Sequence, residues 1–178
     1  MTAPPDKRTA QPIAADAPRD ARDPATWSAD ALAALQALLD RSRASAGEAV
    51  LATFDHPTRR LEAAEFVNFW NASRMKAMAT TGPDGAPHIA PVHAELFDGR
   101  LRSTIYENAV RRRDLRTNPR VALTTWGPHG AAAIVYGVAR EIPDSSRETR
   151  PGAAGEARRT VALEIEITRI YAMRGRDA

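Results

Sequence analysis

Ser103 and Thr104, with the run Arg111-Arg112-Arg113 close behind, are the residues whose types and spacing best suit chemistry in this chain. Hydroxyls at a strand end and guanidinium groups at a helix start converge with the free backbone N–H groups of that start. Together they make a site for an anion, most simply a phosphate. A solvated arginine face on a surface helix is the competing reading of the same run. Other catalytic constellations are missing. There is no cysteine, which removes thiolate catalysis, thiolate metal sites and disulfides. No G-x-S-x-G elbow is present, and Gly82-Pro83-Asp84-Gly85 is too short for a phosphate-cradling loop with a following G-K-[S/T]. The histidines are His56, His88, His93 and His129, and no H-x-H or H-E-x-x-H spacing occurs. His88 and His93, five apart on one strand, point to opposite faces and cannot chelate one metal, although either can line a cavity. A chain with no acid, base or nucleophile set of its own is expected to bind a cofactor that does the chemistry, or only to bind.

The elements that position these residues follow from periodicity. Ser28 is a good N-cap, and Leu32, Leu35, Leu38 and Leu39 form one stripe, so a helix is predicted over Ser28 to about Ala44. Residues 48–56 read equally as a short strand or a helix. A second helix covers about Leu61 to Asn71, with Phe66, Phe69 and Trp70 on its core face. From Arg74 the period changes to strands, predicted at 75–81, 88–96, 101–105, 121–126, 132–141 and 160–173. Asp98-Gly99 is a strong hairpin signal. A helix over Val110–Asn118, with Asn108 as its cap, lies between the third and fourth strands. The fold class is therefore mainly β with helices (α+β): a six-stranded antiparallel barrel of Greek-key type with N-terminal helices. Three segments are expected: a disordered tail over 1–25, a helical extension over 26–60, and the barrel over 61–178. Residues 143–158 read as a mobile loop.

The chain has 178 residues, 43% of them hydrophobic, and a net charge of +3. That charge is too small to argue for nucleic acid. No apolar run reaches the ~20 residues of a membrane span, and no secretory h-region is seen. A cytoplasmic protein is expected, with no membrane or nucleic-acid partner.

The segments ATTGPDGAPHIAPV, DGRLRST and DLRTNPRVAL resemble the FMN-binding split β-barrel superfamily, which comprises pyridoxamine 5′-phosphate oxidase-like proteins and deazaflavin-dependent reductases. The resemblance covers about residues 61 to 173. It implies that Ala90, Pro91, Val92 and His93 lie along a flavin ring. It also implies that Ser103, Thr104 and Arg111 hold the phosphate, with Arg112 as a second cation. Arg111 stands where the family usually has lysine, eight residues before Pro119. Val110 and Ala109 depart from the basic and polar residues usual there. The resemblance further implies a homodimer with the cofactor in a groove at the interface, where Trp126 can reach the partner's ring or simply pack the barrel end. No substrate-binding region of a true pyridoxamine phosphate oxidase is visible, so vitamin B6 oxidation is not assigned. The function expected is an FMN-dependent oxidoreductase acting on a small-molecule substrate. The alternatives are a deazaflavin-dependent reductase, with Arg112, Arg113 and Arg116 meeting the coenzyme tail, and a non-catalytic flavin- or haem-binding protein.

Overall fold

The computed structural model describes residues 20–148 and 158–176. Its helices are α1 (Ala29–Ala44), α2 (Glu48–Phe54), α3 (Ala63–Ala72) and α4 (Val110–Thr117). Its strands are β1 (Lys76–Thr81), β2 (Pro87–Phe97), β3 (Arg100–Tyr106), β4 (Arg120–Trp126), β5 (Ala132–Glu141), the two-residue β6 (Arg147–Glu148) and β7 (Arg159–Met173). All pairings are antiparallel. Around the barrel the order is β4-β1-β2-β3, then β7 and β5, and β5 returns to β4. Six strands thus close on themselves, as the sequence predicts. The chain leaves β3, passes through α4 and lays β4 beside β1, which is the Greek-key crossover.

Local chemistry explains the pieces. Ser28 caps α1 by accepting from the Ala31 N–H at 3.1 Å. Ser42, buried late in α1, donates to the Leu38 carbonyl and accepts from the Ile170 N–H, which fastens α1 to β7. A Glu62/Glu65 capping box opens α3. Asp98 and Gly99 both have positive φ, at 47° and 72°, the pair that a two-residue hairpin between twisted strands requires. Gly137 sits at the β5 bulge, where a Cβ would lie 2.6 Å from the Glu166 carbonyl oxygen.

The barrel interior holds Met78, Ala94, Leu101, Leu123, Val135 and Leu163, and α3 plugs it with Phe66 and Trp70, both fully buried. Each such side chain contributes roughly 1.5–3 kcal/mol through its burial. Trp70 Nε1 donates to the Ala94 carbonyl at 3.1 Å. Lys76 is also buried, and its ammonium donates to the carbonyls of Trp70 and Ser73, so it closes the end of α3 onto the start of β1. Asn71 pairs with the backbone of Leu96 in both directions.

Three expectations change. Order begins before Ser28: 3-10 turns occupy Asp20–Arg22 and Pro24–Thr26, and Trp27 is buried with its Nε1 donating to the Ala21 carbonyl. The rest of the expected tail, residues 1–19, lies outside the described residues. Residues 48–56, which read both ways, contain helix α2. Asn108 does not cap α4; the cap position is Ala109, which has no side-chain bond to offer. Within the expected loop over 143–158, Arg147–Glu148 pair with Thr160 and Arg159, and residues 149–157 lie outside the described ones.

Candidate functional site

Strand alternation decides what each site residue faces. The register sets His93 opposite Thr104, and Ala94 opposite Ser103. His93 and Thr104 point outward. Ala94 and Ser103 point into the barrel, where both are fully buried. Outside the barrel, a cleft of about 580 Å³ runs over β2 and the end of β3 to α4, within the range usual for small-ligand sites. Its apolar wall is Met75, Pro91, Val92, Ile105 and Tyr106; its polar groups include Arg74, His93, Thr104 and Arg111. The N-terminal turn supplies a further wall. Arg22 lines the cleft and pairs with Glu95 at 2.8 Å, and Phe97 packs against Ala21.

Of the residues singled out in the sequence, Pro91, Val92, His93, Thr104 and Arg111 meet in this cleft. The other four do not line it. Ser103 is buried, and its hydroxyl donates to the His93 carbonyl at 2.8 Å, so it stands behind the cleft wall and not in it. Ala90 pairs with Met78 farther along β2. Arg112 turns to the other side of α4 and forks onto Glu141, at 2.9 and 2.6 Å. That pairing raises the Arg112 guanidinium and lowers the Glu141 carboxyl. Trp126 is 68% exposed at the end of β4.

Arg111 is the electrostatic centre of the cleft. Its Nε is buried and has no hydrogen-bond partner among the described residues. Burial lowers its guanidinium from the ordinary arginine value, and the charge of Asp114 opposes that shift. An unpaired, half-buried cation beside an outward threonine hydroxyl is what an anionic ligand group needs. Across the strand pair from Thr104, His93 Nδ1 lies 3.1 Å from the Arg74 carbonyl. A carbonyl only accepts, so Nδ1 carries the proton and Nε2 remains for a ligand. The donors present therefore fit a phosphate-bearing, partly aromatic group. Among the described residues no cluster of three or more metal-ligating side chains occurs, and no helix is long and apolar enough to cross a membrane.

Sequence reasoning missed several neighbours. Asp114 of α4 is fully buried and accepts from the Thr80 hydroxyl at 2.7 Å and from His88 Nδ1 at 2.8 Å. Next to Arg111-Arg112-Arg113 in the chain, it carries no local sign of burial. Arg22, Arg74 and Lys76 likewise carry no local motif.

Comparison with known proteins agrees with the architecture. Rv2991 from Mycobacterium tuberculosis, a conserved hypothetical protein, is 19% identical with a TM-score of 0.54, over 66% of this chain and 88% of that one. A FAD-binding protein from Mesorhizobium loti is 22% identical with a TM-score of 0.49, over 65% and 96%. An F420 reductase is 22% identical with a TM-score of 0.44, over 54% and 87%. At 19% identity the likeness to Rv2991 speaks for the fold alone. No curated protein matches the chain. The profile of the pyridoxamine 5′-phosphate oxidase family matches residues 63–174, from the first residue of α3 to just past β7. Since that segment takes in the whole barrel, the chain belongs to the pyridoxamine 5′-phosphate oxidase family.

Proposed function

We propose that the cleft binds FMN and that the protein is a flavin-dependent oxidoreductase acting on a small organic substrate. The observation that carries this reading is Arg111, a cation with a buried, unpartnered Nε at one end of a largely apolar cleft. Arg111 and the Thr104 hydroxyl take the phosphate, while Met75, Pro91 and Tyr106 offer apolar surface to the ring. When bound, the flavin supplies hydride chemistry that no side chain of the chain can perform. His93, fixed by the Arg74 carbonyl, holds or accepts a proton at Nε2. The apolar wall excludes water from the ring.

A homodimer completes the site in this reading. Ala79 lies between Ile89 and Ala122 in the sheet, and Ala122 faces Tyr136, so these side chains share the outer face. Trp126 lies on the same face by strand alternation, and Ile89 is 73% exposed. A sheet face this apolar is one that associates. It adjoins the cleft at Pro91 and Met75, which supports a second copy as the cleft's missing wall.

Titration with FMN and with riboflavin, which lacks the phosphate, tests the reading. FMN is expected to bind at least about tenfold more tightly than riboflavin, with R111A abolishing the difference. Equal affinities for the two, or no binding of either, would overturn it. One observation favours a second reading. Arg74 also lines the cleft, and no ion pair of its side chain is found among the described residues, so a coenzyme with a longer anionic tail has a second cation to meet. Tight binding of the deazaflavin coenzyme without FMN binding would select that reading. A Soret band on the purified protein would select haem, with His93 the histidine in reach.

A further inference from the structure

We propose that Asp114 and His88 form a hydrogen-bonded clamp that seats α4 and so sets Arg111 in the cleft, making both positioning residues for the anion although neither touches it. The inference rests on the anion-site reading of Arg111. Asp114 lies one turn after Arg111 on α4, and its side chain has two partners among the described residues, both on the neighbouring strands. Its Oδ2 accepts from Thr80 of β1 and from His88 of β2, while Oδ1 is buried with no partner among the described residues. A carboxylate placed there for packing alone makes little sense, because burying a charge is costly unless it is paired. The remaining attachments of α4 are few. Leu115 is its one apolar side chain packed on the core, and Arg112 holds Glu141 on the far side. The buried carboxylate is therefore the polar bolt between α4 and the β1–β2 hairpin. Arg111 stands three residues before Asp114 on the same short helix, so its direction depends on how the helix sits.

Hydrogen-bond roles fix the direction of the clamp. A carboxylate only accepts, so His88 donates from Nδ1. Burial by itself raises the Asp114 carboxyl, but the bonds from His88 and Thr80 and the charges of His88 and Arg113 outweigh it and hold it below its ordinary value. Asp114 thus remains an anion, the form that accepts from both donors. The other charged groups facing the pair are Arg111 and Arg113 of α4, and Asp84 of the β1–β2 turn, whose carboxylate and the His88 ring both crowd Gly82.

Charge alone and the clamp predict opposite signs. The negative charge of Asp114 lies near Arg111 and repels an anion, so on charge alone D114N tightens FMN binding. The clamp requires D114N to weaken it. FMN fluorescence titrations on wild type, D114N, H88A, H88N and R111A, each with a thermal melt, decide. D114N and H88A are expected to weaken FMN binding about tenfold. H88N keeps a donor at the Nδ1 position without titrating. It is expected to bind FMN within about twofold of wild type, because the donated bond is kept. A folded D114N that binds FMN as tightly as wild type or more so overturns the clamp, as does H88A binding FMN as tightly as wild type. If D114N does not fold, equal affinities of H88A and H88N overturn it. Unchanged affinity in R111A would mean that the anion-site reading has itself failed. Weak R111A beside unchanged D114N sinks the clamp alone.

Discussion

Ser103 and Thr104 are neighbours in the chain, yet the structure gives them opposite duties, and one pair of substitutions separates these. Ser103 is fully buried and donates to the His93 carbonyl at 2.8 Å. Removing that donor in S103A leaves a buried acceptor short of a partner, which costs about 1–2 kcal/mol. For a domain of this size each kcal/mol moves the melting temperature by about 2–4 °C, so S103A should melt roughly 2–8 °C lower. Its FMN affinity should change little once the protein is folded. Thr104 faces the cleft beside Arg111. T104V removes the hydroxyl with little change of shape and should leave the melt nearly unmoved. It should weaken FMN binding by roughly tenfold or more, the worth of a hydrogen bond to a charged group. Differential scanning fluorimetry and fluorescence quenching on the same samples read both effects. The reasoning is refuted if S103A loses affinity at an unchanged melting temperature while T104V binds as wild type does, because the strand would then present its other face to the ligand.

Three more outcomes are expected. Burial lowers the Lys76 ammonium from 10.5 to about 8, against a small opposing effect of Glu95; between those pH values the unfolded chain holds a proton that the folded chain lacks, so stability should rise across the window by on the order of 3 kcal/mol. Urea melts from about pH 7 to about pH 10.5 check this, and K76M should flatten the rise, whereas a flat wild-type curve would contradict the burial of the amine. Replacing Ile89 and Trp126 together by lysine should halve the mass seen by light scattering and weaken FMN binding; a monomeric wild type with full affinity would remove the interface argument. Trp27 is 7% exposed under the N-terminal turn, and W27A should cost about 3 kcal/mol in urea unfolding, while a neutral effect would mean that the turn does not brace the barrel.

The strands were legible because each is short, locally alternating and bounded by turn residues, and the positive φ of Asp98 and Gly99 was readable from two letters. The helix between β3 and β4 was legible from Val110, Leu115 and the closing Asn118-Pro119. The limits were set by what packs on the outside of the barrel. Alternation says that Ser103 and Thr104 face opposite ways, but not which faces in. Here the outer face carries Phe97, buried against Ala21, and Arg102, buried with its guanidinium over the Phe97 ring, so burial itself does not mark the inner face. Arg111 and Arg112 are about 100° apart on a helix, and the partner that claims Arg112, Glu141, is 29 residues away. Asp114 gave no signal because its partners, Thr80 and His88, belong to strands that meet α4 only in three dimensions.

β7 has a consequence for how the protein matures. One side of this 15-residue strand pairs with β3 and the other with β5, and its Thr160 stands on the cleft wall opposite Tyr106. Until it docks, β3 and β5 are open edges and the groove lacks a side. Closure therefore waits for the last-made strand and depends on pairings across some sixty residues (Thr160 with Tyr106, Ile165 with Leu101), the long-range kind that slows folding. A chain with β7 undocked has no assembled groove to offer, so an occupied cleft would report a barrel that has already shut.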